Sequence, residues 1–577
     1  MEDWVPATPN RPLTTGDRLW TETGSRAELT TNNASLRLNA RTNFTFLNLN
    51  NNTTQIQISS GTLGVRVRRL DGNEVFEIDT PHAAFTVLRP GDYRVDVNEQ
   101  GDTTMVTVHG GQAEAVSTDN RVVPMGPRTQ ARIVVAGDAA PVIDTRDAPV
   151  GDNFDNFCQE RDRRDDRSES AHYVSREVPG YADLDDHGVW TENPQYGMVW
   201  APRVDPGWAP YQTGHWAWIA PWGWTWVDDE PWGYAPFHYG RWAYTPAGWV
   251  WVPGPPAIRP VYAPALVAWV GGPGFGVSIA IGGGAAVGWF ALGPGEVWVP
   301  SYRASPTYFS RVNVSNTVIV NQVHITTVYN ATYVNRTTLN NVTYANQRVS
   351  GAVMAVPQSA MVSGRAVSQA AIRVPQEAAS NGVVQRTAPV APERAAVLGG
   401  RQAGAAAPPS SLNNRTLMAR ATPPAAPVPF DRQRSALQAN PGQPVNRAGI
   451  RQLQPGSGGG APGIAQRAQV RQLSAPPTRV SSTAPTPAAQ PSTVRPSVSQ
   501  GSQPRTENGP PLGRSTETVA SRPAPSVQQP QSQSRVATTP PDSHSATAHT
   551  TERSRPEVKA KEAPKHEEKK DSKSESR

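Results

Sequence analysis

The chain has 577 residues, a formal net charge of +6 and a single cysteine, Cys158. One cysteine excludes an intrachain disulfide framework, and the modest charge excess, spread over isolated arginines such as Arg451, Arg467, Arg471 and Arg479, argues against a nucleic-acid partner. No run reaches the roughly 18–20 apolar residues of a membrane-spanning helix; the nearest, Val261 to Leu292, is broken by glycines and prolines and reads as turns and short strands.

The first residues, Met1-Glu2-Asp3-Trp4, lack the basic and apolar regions of an export signal, and the chain starts inside a strand-like unit. A start cut short upstream of a lost signal is the expectation. From residue 1 to about 135 strand signals dominate. Ser35 to Leu38, Gln55 to Ile58, Gly64 to Arg68, Tyr93 to Val97 and Met105 to Val108 alternate polar and apolar, with Asn, Asp and Gly between them. Period-two runs of this kind predict half-buried strands, so residues 1–135 form an all-β sandwich or roll.

Leu13-Thr14-Thr15-Gly16-Asp17-Arg18-Leu19-Trp20-Thr21 resembles the opening strand of the FecR-type domain. Gly61 to Val67, Phe76 to Pro81, Arg89 to Val97 and Val106 to Ala113 resemble its later strand motifs in order. The resemblance implies a module of the periplasm or cell surface. In the family's founding members that module relays a signal to a cytoplasmic anti-sigma segment. Such a role needs a spanning helix and a cytoplasmic tail, and this chain shows neither.

Residues 136–172 read as a charged linker. Arg161-Asp162-Arg163-Arg164-Asp165-Asp166-Arg167 predicts a short solvent-exposed helix. A divalent-metal patch built from Asp152, Asp155, Asp162, Asp165 and Asp166 is disfavoured, because arginines interleave with the acids and no calcium-loop spacing is present. No metal and no cofactor are expected.

Fifteen of the 17 tryptophans fall between Trp190 and Trp298. Pro210 to Trp216 recurs as Pro236 to Trp242, and Gly223-Trp224-Thr225-Trp226-Val227 recurs as Gly248-Trp249-Val250-Trp251-Val252, a period of about 25 residues. Alternation sets Trp224 and Trp226 on one strand face, and likewise Trp249 with Trp251 and Trp216 with Trp218. Residues 173–310 therefore read as successive aromatic hairpins. The rings serve as the core, since each buries about 150–250 Å², or in part as an exposed platform for sugar rings or proline-rich peptides. Both faces of a hairpin in so small a domain are hard to bury, which argues for some mixture, but most of the cluster reads as core. The platform candidates are Trp208, Tyr211, Trp222, Trp232 and Tyr234, with His215 and Arg241 as polar partners at one repeat position. Asp228-Asp229-Glu230 is the acidic cluster within the repeat and reads as a solvated turn; a glycan hydrolase using it is a minor reading. The repeats, with Trp289 to Pro300, also resemble a bacterial family of unknown function found behind FecR-type modules, which implies an architecture and no activity.

Residues 311–349 set Val312, Val314, Val318, Val320, Val323 and Ile325 against Asn313, Asn316 and Asn321, which predicts strands with a polar outer face. From residue 350 to 577 the chain is rich in Ala, Pro, Ser, Thr, Gln and Arg, and Phe430 is the only aromatic beyond Tyr344. Such a composition predicts a disordered tail. The sequence as a whole predicts a two-module all-β protein of the periplasm or cell surface. Its expected function is non-catalytic, contacting an envelope glycan or an envelope protein. The alternative is a component of a FecR-type signalling system acting with a separate sigma-regulator partner.

Overall fold

The computed structural model describes residues 3–137, 139–271, 275, 285–335, 342–454 and 470–474. The fold is mostly β. Its N-terminal module is one large curled sheet, and the reason it curls lies in a single long strand. Strand β5 (Thr53–Val67) changes partners midway. Its first half pairs antiparallel with β4 (Asn43–Leu49) and parallel with β6 (Val75–Asp79). Its second half pairs antiparallel with β3 (Ala34–Leu38) and β8 (Gly91–Val97). Beyond β6 the sheet continues through β7 (Ala83–Val87) and β10 (Ala113–Ser117); beyond β8 it continues through β9 (Thr103–Val108), β12 (Thr129–Val134) and β13 (Val142–Asp147). Alternation turns Leu36, Phe44, Ile56, Phe76, Ile78, Phe85, Val95 and Val106 inward, all buried in one core.

The charged segment is no linker. Asp152 caps α1 (Asn153–Arg167), accepting from the amides of Phe154 and Asp155, while Asp155 accepts from the Asp152 amide. The helix lies on the outer face of β3, β5 and β8, and arginines of β3, of β8 and just past the end of β5 reach its acids: Arg37 to Asp162 at 2.8 Å, Arg94 to Asp155 at 2.9 Å, Arg68 to Asp165 at 2.7 Å. Those acids are held by the sheet rather than by arginines of their own helix, and Phe154 is buried beneath it.

The repeat is two hairpins. Strands β16 (Gly214–Ile219) and β17 (Gly223–Asp228) set Trp216 opposite Trp226 and Trp218 opposite Trp224. Strands β18 (Arg241–Thr245) and β19 (Gly248–Val252) set Trp242 opposite Trp251 and Tyr244 opposite Trp249. A third pair, Trp190 opposite Trp200, joins β14 (Gly188–Asn193) to β15 (Gly197–Pro202). Strands β20 (Val267–Gly271) and β21 (Ala286–Ala291) pair Trp269 with Trp289.

Among the described residues of 311–349 no strand forms. Helices span Pro306–Val314 and Gln322–Tyr329, started by Ser305 with Pro306 and by Asn321, which accepts from the His324 amide at 2.9 Å. Phe309, Ile325 and Val328 bury one helical face. Asn313 and Asn316 are buried brackets rather than an outer face: Asn313 bonds both the amide and the carbonyl of Trp298, and Asn316 donates to the Val261 carbonyl at 2.8 Å.

The disordered tail predicted from residue 350 is also corrected over residues 350–454. Met354–Pro357 pairs with β21, and Val383–Gln385 pairs with β20, so the segment completes that sheet. Ala360, Met361, Val367, Val390 and Ala396 enter the same core as the tryptophans. Chain entropy is offset here because small aliphatic side chains close over aromatic faces built elsewhere in the sequence. Residues 455–469 and 475–577 lie outside the described residues.

Candidate functional site

Four of the platform candidates lie in the core. Tyr211 is fully buried, donating to the Phe237 carbonyl and accepting from the Leu266 amide, both at 2.9 Å. Trp232 is buried against Trp200, with ring centroids 5.0 Å apart, and stacks on Phe237 at 5.8 Å. Arg241 is 1% exposed and gives its guanidinium to the carbonyls of Gly240, Glu296 and Asn316 and to Asn313 Oδ1. Burial lowers its pKa to about 10. His215 is buried, with Nδ1 3.7 Å from Asp229. An exposed platform therefore does not include these four. The physical reason is the cover described above: even the carbonyl of Val390 is used, accepting from Trp224 Nε1 at 3.0 Å. Both strands of the first hairpin are buried along their whole length, on both faces. Asp228 is no solvated turn either; it is 1% exposed and accepts from Trp226 Nε1 at 2.8 Å, and burial raises its pKa well above the carboxylate norm.

Trp208, Trp222 and Tyr234 are half-buried. Trp208 leans on Trp232 and Trp242. Trp222 and Tyr234 belong to something the sequence reading missed, a cavity of about 840 Å³ between the N-terminal module and the tryptophan-rich module. One wall is aromatic: Trp218, Trp222, Tyr234, Tyr239 and Tyr262. Trp222 packs on Tyr262 at 4.6 Å, and His238 sits between Tyr234 and Tyr262 at 4.8 Å from each. Burial and neighbouring tyrosines raise the Tyr262 pKa well above 10, so its hydroxyl stays protonated. Among the described residues Tyr262 Oη has no hydrogen-bond partner.

The N-terminal module also lines the cavity with amides and hydroxyls, Thr30 to Asn33 around the end of β2 (Ala27–Thr30) and Asn50 to Thr53 around the start of β5, beside the apolar Leu13, Leu29, Phe46 and Leu49. Pro427, Gln433 and Pro444 close a third side. Carboxylates at this site are paired with arginines. Glu28 meets Arg161 at 2.7 Å, Glu74 meets Arg259 at 3.1 Å, Asp165 meets Arg68 at 2.7 Å, and Asp183 meets Arg164 at 3.0 Å. Arg259 and Glu74 come from different modules, so the pair also ties the walls together. Among the described residues no group of three or more His, Cys, Asp or Glu side chains converges as metal ligands. This lining can stack a flat apolar face on its rings and exchange hydrogen bonds with hydroxyls through its amides and hydroxyls. One signal in the sequence could have found the polar part of the lining: the run Asn48-Leu49-Asn50-Asn51-Asn52, which holds more amides than a turn requires.

Residues 17–138 match the family described as FecR protein, and residues 181–296 match a family of unknown function, DUF6600. No curated protein matches the chain. Two solved structures, each described as a "putative anti-sigma factor from Parabacteroides distasonis ATCC 8503", are similar at 17% and 18% identity with a TM-score of 0.21. Each match covers 23% of this chain, which spans 60% of the length of those structures. The chain carries a FecR domain at residues 17–138 followed by a DUF6600 domain at residues 181–296.

Proposed function

We propose that the protein is a non-catalytic binding protein of the bacterial envelope that takes a saccharide in the cavity between its FecR and tryptophan-rich modules. One observation carries the reading: aromatic rings of one module and amides and hydroxyls of the other line one cavity of about 840 Å³, within the range of small-ligand sites. Sugar rings present C–H faces to aromatic rings and hydroxyls to amides, so both parts of the lining would be used. The arginine pairing of Glu28, Glu74, Asp165 and Asp183 supports binding over hydrolysis, since a glycosidase needs one carboxyl held protonated beside an ionised one. The FecR domain supports the envelope location. The test is a tryptophan-fluorescence titration of the full chain with peptidoglycan fragments and soluble envelope polysaccharides. A saturable change with one of these glycans is expected, carried by Trp218 and Trp222; no change with any of them overturns the reading.

The FecR domain also favours a second reading, in which the protein is a component of a FecR-type signalling system and a separate membrane-spanning partner carries the signal inward. The two readings meet if the saccharide is the signal. Cross-linking in cells to a membrane-spanning regulator, altered by adding the saccharide, is the expected result for the second reading; cross-linking to no membrane protein contradicts it.

A further inference from the structure

A second cluster of buried polar side chains lies on the face of the FecR sheet turned away from its apolar core. Gln55, Glu77, Thr86 and Glu114 are register partners across β5, β6, β7 and β10 and form one continuous polar row. The next row, two residues along each strand, contains Asp79, Ala84 and Val116. An extended segment of the same chain, Leu417–Ala419 and the two residues after it, lies over both rows.

Its fit is matched in register. Met418 donates its amide to the Thr80 carbonyl at 2.9 Å and packs on Ala84 and Val116. Two residues later, on the same face of the segment, Arg420 lies along the polar row. Its guanidinium is ion-paired with Glu114 and donates to Thr86 Oγ1 at 3.2 Å. The amides of Arg420 and Ala421 both donate to Glu77 Oε1, at 2.9 and 3.0 Å, and Gln55 Nε2 donates to the Ala421 carbonyl at 2.8 Å. Leu417, Met418, Ala419 and Arg420 are all buried in place. Backbone bonds, an apolar seat and an acidic seat two residues apart are the elements by which a sheet reads a linear peptide.

We propose that this face is a binding site for an extended peptide carrying an apolar side chain two positions before an arginine, that residues 417–421 fill it in cis, and that a partner segment of the same pattern takes it in trans. Charge complementarity sets the partner's chemistry: Glu114 takes the Arg420 guanidinium and Glu77 takes two backbone amides, so an extended peptide with an arginine matches both acids, whereas an acidic one meets them with repulsion.

The test uses the full chain and a fluorescein-labelled peptide with the sequence of residues 413–424, read by fluorescence polarisation. Arg420→Glu expels the cis segment by repulsion from Glu114. The variant is expected to bind the peptide at least about tenfold more tightly than the wild type, whose site is filled. Adding Glu114→Gln to the variant, or replacing the peptide's arginine by alanine, is expected to undo that gain. Absence of binding to a folded Arg420→Glu chain, or binding that ignores both changes, overturns the proposal. If Arg420→Glu does not fold, hydrogen exchange on the wild type decides. Excess peptide is expected to speed exchange at the amides of Met418, Arg420 and Ala421; exchange there that is indifferent to the peptide overturns the proposal.

Discussion

Gly214 and Gly240 explain why the repeat reads Gly, then His or Arg, then Trp. A Cβ on Gly214 would lie 2.6 Å from the Trp226 ring, and one on Gly240 would lie 2.3 Å from Trp251 Nε1. Each glycine thus makes room for the tryptophan of the partner strand. Gly240 also has φ of +71°, so Gly214 isolates the steric effect. Gly214→Ala is expected to destabilise the fold by about 1–3 kcal/mol, read as a shift in denaturant midpoint, while Gly126→Ala, with nothing within 4 Å of the added atom, leaves the midpoint nearly unchanged. His238 carries a pH prediction. Burial depresses its pKa from 6.5 to about 4, and its Nδ1–H donates to the Ala263 carbonyl at 2.8 Å. Between those values the unfolded chain binds the extra proton, so stability is present above pH 6.5 and is lost as pH falls toward 4, by about 3 kcal/mol for the full shift. Denaturation curves at pH 7.5, 5.5 and 4.5 are expected to show that decline in the wild type and a shallower one in His238→Gln. Parallel slopes in the two proteins contradict the assignment. The buried Asp228 acts in the opposite sense: its raised pKa favours the fold at low pH and weakens it as pH rises above the ordinary carboxylate value, which is why the difference between wild type and variant is the quantity to read.

At the scale of elements, the aromatic hairpins were legible because period-two alternation and an internal repeat are local signals. Trp216, Trp218, Trp224 and Trp226 lie where alternation puts them, as two cross-strand pairs, each with ring centroids 5.4 Å apart. What covers them was not legible. Ala360, Met361, Val367 and Ala396 come from a stretch whose composition resembles a spacer, and their burial depends on surfaces far away in sequence. Met361→Asp is expected to uncover the tryptophan faces, shifting their emission to longer wavelength and costing about 2–5 kcal/mol for a lost side chain and a buried charge. An unchanged spectrum and midpoint contradict the covering role. The helices Pro306–Val314 and Gln322–Tyr329 were missed for another reason: their start signals, Ser305-Pro306 and Asn321, were outweighed by a valine alternation, which the helices split by burying Val312 and Ile325 and leaving Val323 exposed.

For the molecule as a whole, the order of modules was readable from ordered short motifs, and the FecR and DUF6600 matches agree with it. The site between them was not readable. Trp222 and Tyr234 are among the ring candidates that the sequence offers, yet the polar residues sharing their cavity, Asn32 and Asn50 to Asn52, lie more than a hundred residues upstream in turns of a different module. Nothing in either segment alone points to the other; the juxtaposition follows from how the modules pack, with Arg259 and Glu74 joined at 3.1 Å across them. Titration calorimetry with the saccharide that perturbs tryptophan fluorescence tests this shared site most directly, comparing wild type with Trp222→Ala and Asn32→Ala. The account predicts that each substitution, in a different module of the shared lining, weakens binding about tenfold or more, near 1.4 kcal/mol; affinity that falls with one and is untouched by the other contradicts it.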